Sequence, residues 1–236
     1  MIVYIGDSNT NGTKYRGMES VEYRFMFTPF SYRRNYKGKY ALDNGAFSAF
    51  ANGRCFDDGA FLKAFFFMSQ HADFVIVPDK VAAGKKSFDY SMTWRDFLPN
   101  RIRYYLAVQD GMTTAILGPD FDVKFSGIFV GGSMEWKQKT AEQWVEFAHA
   151  RGKDCHIGRV GTYPLLMWAE RIGADSVDSS NFAQNEKNRI ELVQFSSGVQ
   201  KSLEVIESPS HALNSKLLVA GSQTFITTPM LIQGIG

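Results

Sequence analysis

Seven short β-prone runs, each ending in a polar or glycine-rich tip, recur along this chain and limit what it can fold into. They are "MIVYIGD" (1–7), "YALDNGAF" (40–47), "DFVIVPD" (73–79), "YYLAVQDG" (104–111), "GIFVGG" (127–132), "DCHIGRVG" (154–161) and "ADSVDSS" (174–180). Stretches at helical spacing separate several of them. One follows Asp57 and Asp58, acidic residues suited to a first helical turn. A second, "KTAEQWVEFAHARG" (139–152), is expected to start at a capping Thr140 and stop at Gly152. A third runs from Thr162 through Pro164 in the first turn to Gly173.

Strands that alternate with helices and read as buried on both faces argue for a parallel sheet covered by helices. An eighth run at "LLVAG" (217–221) brings the count to that of a closed (β/α)8 barrel of the TIM type, expected as one domain over 1–236. No G-x-G-x-x-G follows a strand and no phosphate-binding G-x-x-x-x-G-K-[ST] occurs, so the nucleotide-cofactor forms of an open sheet lose support. No cofactor is expected.

Composition narrows the class further. The chain has 236 residues, 44% hydrophobic and 21% charged, enough to bury a sizeable core and too apolar for a disordered chain. No apolar run is long enough to span a bilayer, and "MIVYIGD" lacks the basic start and long apolar middle of a signal peptide, so no membrane partner is expected. Cys55 and Cys155 stand alone, without a CxxC, which argues against a structural zinc cluster and for a reducing, cytoplasmic setting. A net charge of +2 does not by itself announce a nucleic-acid binder.

In such a barrel the C-terminal strand ends converge on one face. Here they carry Asp43, Asp79, Gln109 with Asp110, Gly131 with Gly132, His156 with Arg159, and Asp175 with Asp178. A single aspartate there reads as a cap or turn residue. Three strands that each bring a carboxylate to one rim are better explained by a ligand. Two chemistries fit: hard oxygen ligation of a divalent metal, or glycosidic-bond chemistry with one nucleophilic and one proton-handling carboxylate.

The tips resemble those of the queuine/preQ1 tRNA-ribosyltransferase family, the tRNA-guanine transglycosylases. "DNGAFS" is similar to D-S-G-G-[FY]-Q, "VPDKV" to a strand ending in a purine-reading aspartate, and "LAVQDG" to [IV]-V-Q-G-G. "SGIFVGG" is similar to G-G-L-A-V-G, "GRVGT" to M-G-V-G-T, and "GADSVDSS" to G-V-D-M-F-D-C-V, whose second aspartate is the nucleophile. The matches fall in order over residues 43 to 180. The family's C-x-C-x-x-C…H zinc module is absent, since no cysteine follows Asp178, and the chain is shorter than the tRNA enzymes. It looks more like the trimmed, zinc-less branch that inserts 7-deazaguanines into DNA in bacteria and bacteriophages.

The resemblance implies roles. Asp178 matches the nucleophile and Asp43 the general acid/base. Asp79 would accept the N1–H and N2–H of guanine, a donor pair adenine lacks. Gln109 and a backbone N–H of Gly127 or Ile128 would donate to O6, and Asn44 and Gly131 join the substrate-binding set. Phe47 would stack on the base, beside a glycine at 45 that lets the backbone approach it. Asp175 and His156 read as structural.

Basic residues interleaved with aromatics, notably Arg33, Arg34, Lys85 and Lys86, are expected around the rim, and Arg159 is expected to contact phosphate. No metal is implied. The expected partners are a polynucleotide, DNA before tRNA, and a free 7-deazaguanine such as preQ0 or preQ1. The expected location is the cytoplasm, that of the host if a phage encodes the chain. The rivals are a tRNA enzyme, a non-catalytic nucleic-acid-binding subunit and an unrelated magnesium-dependent barrel enzyme.

Overall fold

Eight parallel strands hydrogen-bond in chain order and close on themselves, so the expected (β/α)8 barrel is the fold. The computed structural model describes residues 1–6, 18 and 21–198. The strands are β1 (Ile2–Gly6), β2 (Tyr23–Phe27), β3 (Tyr40–Leu42), β4 (Val75–Ile76), β5 (Tyr104–Val108), β6 (Gly127–Val130), β7 (Asp154–Ile157) and β8 (Ser176–Ser179). Pairing of β1 with both β2 and β8 shuts the barrel, with Tyr4 opposite Asp178 at the seam. Met1–Ser197 forms one unit.

The strand absent from the sequence reading is β2. Its pattern, YRFMF, is β-like, with Phe25 and Phe27 buried in the core and Met26 in the barrel lumen. Arg24 interrupts the apolar run that marks the other strands. Its guanidinium donates to Asp73 Oδ2 at 3.1 Å, beside the Tyr4 hydroxyl at 3.0 Å. With β2 in place the barrel closes without the "LLVAG" run, which lies outside the described residues.

Among the described residues the α-helices are α1 (Ala46–Ala51), α2 (Asp58–Met68), α3 (Lys85–Phe97), α4 (Asp120–Lys124), α5 (Met134–His149), α6 (Tyr163–Arg171), α7 (Asn181–Gln184) and α8 (Glu186–Ser197). Asp57 caps α2 by accepting from Ala60 N at 2.8 Å, and Pro164 lies in the first turn of α6. The start of α5 differs from expectation. Ser133 caps it, well upstream of Thr140, and Thr140 turns its hydroxyl back onto Trp136 O at 2.8 Å. A threonine can cap or back-bond, and the upstream Gly132-Ser133 turn settles which. No described helix is long and apolar enough to cross a membrane.

Two apolar layers hold the barrel. The larger lies between strands and helices and includes Phe27, Phe61, Trp144 and Leu166. The smaller fills the lumen with Tyr4, Met26, Phe74, Ile76, Tyr105 and Ala107, and Phe129 packs against it. Phe74 and Tyr105 stack at 4.0 Å between centroids. At the N-terminal end, Asp154 accepts from the Tyr105 hydroxyl at 2.7 Å and from Arg103 at 2.6 Å. Rings and ion pairs thus plug the lumen below, and the open space lies above.

Gly127 belongs to that plug. A Cβ there would lie 2.5 Å from the Tyr105 ring and 2.8 Å from Asp154 O. Gly127→Ala should therefore destabilise the fold by about 1–3 kcal/mol, as overpacking does, read as a lower urea midpoint with an unchanged slope.

Candidate active site

The cavity opens at the C-terminal ends of the strands, the face on which (β/α)8 enzymes place their sites. It spans about 560 Å³ including its mouth. Asp43, Asp79 and Asp178 all line it, each following or ending a different strand. Phe47 and Arg159 form one side, and Ile76, Ala107 and Phe129 from the luminal layer form the floor.

Asp43 stands one residue beyond β3. Its Oδ1 accepts the Gly45 N–H at 2.5 Å, and Gly45 takes φ 82°, which turns the chain directly into α1. Burial pushes the Asp43 carboxyl up to about 7. The Gly45 N–H opposes that rise, and the neighbouring Asp178 and Asp79 charges add to it. The turn reading of "DNGAF" and the carboxylate's place in the cavity are therefore both true.

Asn44 orients Asp79. Its amide donates to Val77 O and to Asp79 Oδ1, both at 2.8 Å, while its own oxygen accepts from Ala46 N at 2.7 Å. Burial raises Asp79 to about 6, against the donors from Asn44 and Gln109. Gln109 differs from expectation. Its Nε2 lies within reach of Asp79 Oδ2 (3.2 Å), Lys80 O (2.8 Å) and Ser87 Oγ (2.6 Å), and its Oε1 accepts Ala82 N at 2.6 Å. The amide is fully committed to protein groups, including Ala82 at φ 57°. Gln109 holds the loop that carries Asp79 and leaves no donor for a ligand.

The glycine assignment also changes. Gly131 lines the cavity, but Gly127 and Ile128 begin β6 at the opposite end, and Ile128 is buried in the outer core. The length of β6 separates the two tips, a slip that loop similarity alone does not resolve. Gly132, at φ 71°, is required: a Cβ there would lie 2.5 Å from Asp110 Oδ2. Asp110 in turn accepts from Ser133 N and Oγ, fixing the start of α5.

The basic residues divide by face. Lys85 and Lys86 open α3 on the cavity side, although neither lines the cavity, and Lys85 is paired with Asp89 at 2.6 Å. Arg33 packs over Phe25 and Arg34 over Phe67, the latter one residue from the end of α2. That end leads into the start of β4, so the expectation of Arg34 at the rim is corrected. Arg34 belongs to the N-terminal side, and Arg33 lies over the mid-strand Phe25. Arg159 does line the cavity, at φ 60°, with its guanidinium 4.3 Å from the Phe47 ring centroid and a hydrogen bond to Gly132 O.

Two residues given no chemical role by the sequence stand against the site. His156 is fully buried, and its Nε2 is 3.0 Å from Asp178 Oδ1. Lys137 is buried on α5 and donates to Gly158 O. Burial draws its ammonium down to about 8, helped by Arg159 and opposed by Asp178 and Asp110. The signal for Lys137 was its place one turn after the Ser133 cap, on the face that meets β6 and β7. Asp175 is structural as expected, accepting from Cys155 N at 2.7 Å and lying 2.9 Å from His149 Nε2. Among the described residues no group of three or more His, Cys, Asp or Glu side chains is arranged to hold a metal.

A carboxyl whose folded pKa lies above its unfolded value binds more protons when folded, so its stability contribution falls as pH rises between the two values. For Asp43 that window runs from about 4 to about 7. Asp43→Asn keeps an oxygen for Gly45 N–H and removes the buried charge. It should raise the melting temperature above wild type at pH 8, and the gain should vanish near pH 4.

No protein-family profile matches the chain, and no curated protein does. Among solved structures it is similar to RipC from Yersinia pestis, at 9% identity and TM-score 0.45 over 81% of this chain and 94% of that one. It is also similar to a point mutant of an active chimera of (S)-mandelate dehydrogenase, at 12% identity and TM-score 0.39 over 86% of this chain and 75% of that one.

Proposed function

We propose that this protein is a base-exchange transglycosylase, a pentosyltransferase that replaces guanine in a polynucleotide with a free 7-deazaguanine. The observation that carries the reading is two carboxyl groups with opposite settings in one cavity. Asp43 is poised to hold a proton near neutrality, while Asp178 takes a hydrogen bond on one oxygen and leaves the other without a partner among the described residues. A carboxyl that holds a proton beside one with an unpartnered oxygen suits the pairing of a general acid with a nucleophile.

In the first half-reaction an oxygen of Asp178 forms a bond to C1′ as the C1′–N9 bond breaks. The bonding pair goes to the purine, which takes the proton of Asp43. In the second, Asp43 removes a proton from the incoming base, whose nitrogen displaces Asp178 from C1′. Two inversions retain the configuration. Asp79 accepts the two adjacent donors of a guanine edge, since Asn44 and Gln109 each occupy only part of its acceptor capacity. Phe47, with Arg159 over one face, offers the base a stacking surface.

The resemblance to the zinc-less branch favours DNA as the polymer, with the reaction in the cytoplasm, that of the host if a phage encodes it. A paired guanine must be flipped or met in a single strand, which costs a few kcal/mol. Lys85 and Lys86, which open α3 after the Asp79 loop, would meet the phosphates of the bound strand.

Asp178→Ala should abolish exchange and the SDS-resistant protein–polynucleotide complex that wild type forms, in a protein that still folds and melts cooperatively. Labelled deazaguanine should enter DNA; labelling of tRNA alone would move the protein to the tRNA branch, and near wild-type turnover by the variant would remove Asp178 from the mechanism.

The pH profile follows from the two raised carboxyls. Guanine binding should weaken as pH falls through about 6, where Asp79 gains a proton. Formation of the covalent complex should slow as pH rises through about 7, where Asp43 loses its own. Asp79→Asn should flatten the acid limb and cost about 2–5 kcal/mol of guanine recognition while sparing strand binding.

A further inference from the structure

The histidine behind Asp178 is held more tightly than packing requires. His156 is on β7, and its Nε2 faces Asp178 Oδ1 at 3.0 Å while its Nδ1 faces Ser176 Oγ at 2.8 Å. Both partners stand on β8, two residues apart, so both point into the lumen. Phe129 stacks on the imidazole at 5.0 Å and 13°, and Tyr4 and Phe74 close its other sides at 5.7 and 5.4 Å. These contacts oppose both tilt and rotation of the ring.

A carboxylate only accepts, so the proton between these groups belongs to His156 Nε2. Among the described residues Nδ1 is the acceptor for the Ser176 hydrogen, and both contacts are satisfied by the neutral Nε2–H tautomer. A doubly protonated ring would strand the Ser176 hydrogen among apolar walls, where an unmade bond is costly. Gly158 completes the cradle: a Cβ there would lie 3.3 Å from Asp178 Oδ1 and 2.6 Å from the Phe129 ring. Oδ1 therefore backs onto β7, and Oδ2 is the oxygen without a partner among the described residues.

We propose that His156, its tautomer set by Ser176, is a positioning residue that pins Asp178 through Oδ1 so that Oδ2 alone attacks. This rests on the base-exchange reading for the identity of the attack, but not for the clamp itself. A neutral donor suits a carboxylate that must become an ester and then leave. It orients the group without the second, cationic charge of an imidazolium, whose ion pair would hold the lone pair more strongly. When Oδ2 bonds C1′ and the C1′–N9 pair departs with the purine and the Asp43 proton, Oδ1 becomes the ester carbonyl. The same His156 donor can then stabilise the carboxylate that reforms when the incoming base attacks.

The test has two arms. Nitrogen-15 shifts of the resting protein should show His156 as the Nε2–H tautomer, with Ser176→Ala producing a tautomer mixture. An Nδ1–H or doubly protonated ring would overturn the clamp. In single turnover with a guanine-containing oligonucleotide, His156→Phe keeps a ring but no donor. It should slow formation of the covalent complex about 100-fold, the scale expected of a misplaced reacting group, with strand affinity unchanged. His156→Gln, which returns an N–H near the Nε2 position, should recover much of that loss. Equal rates for Gln and Phe variants that both melt like wild type, or a wild-type rate for Phe, would overturn the assignment. If wild type itself forms no covalent complex with any guanine polymer, the base-exchange reading falls, and the ring spectrum alone decides the clamp.

Discussion

The register at the barrel seam governs everything above it. With Tyr4 opposite Asp178 and Val3 opposite Val177, β8 turns Ser176 and Asp178 into the lumen and Val177 into the outer core. A shift of one residue would exchange these faces, burying an aspartate under the helices and presenting a valine to the cavity. The backbone bond from Val160 N to Asp178 O at 2.7 Å ties the same residue to the turn after β7. Asp178 is thus positioned by main-chain pairing on one side and by His156 on the other.

That frame sustains an unfavourable arrangement of charge. Three carboxyl groups share one cavity, and burial works against ionisation of two of them. At the N-terminal end the lumen treats its acids differently: Asp73 and Asp154 each receive an arginine and a tyrosine hydroxyl. Compensation is nearly complete below and partial above. Groups that only hold the barrel are neutralised by their partners, whereas those facing the cavity keep unsatisfied capacity. This asymmetry is what a site for chemistry at the C-terminal face would need.

Much of the site was legible because strand tips are short and chemically distinctive. Asp43, Asn44, Phe47, Asp79, Gln109, Gly131, Arg159 and Asp178 were singled out from their tips, and all of them line one cavity. The errors have separate physical origins. β2 escaped because Arg24 breaks its apolar pattern, and only the distant Asp73 explains an inward arginine. Gly127 was confused with Gly131 because a glycine that admits a tyrosine ring and one that borders a cavity look alike in one dimension. Arg34 resembled part of a phosphate track, but its aromatic neighbour on α2 holds it on the other side. Gln109 was given a ligand because its protein partners come from a loop 22 to 30 residues away.

Alternation of β-prone runs with helical spacing pointed to the barrel, because parallel strands need crossovers, while its remaining strand, β2, was supplied by the tertiary structure. The same tips determined which carboxylates meet, since the fold gathers C-terminal strand ends at one place. What tertiary structure alone decided was the state of those groups. Whether Asp43 holds a proton, how Gln109 spends its amide, and which oxygen of Asp178 is free depend on burial and on partners 22 to 35 residues away in the chain. Desolvation and hydrogen-bond capacity are properties of a packed neighbourhood, and a linear sequence names its members without saying which of them touch.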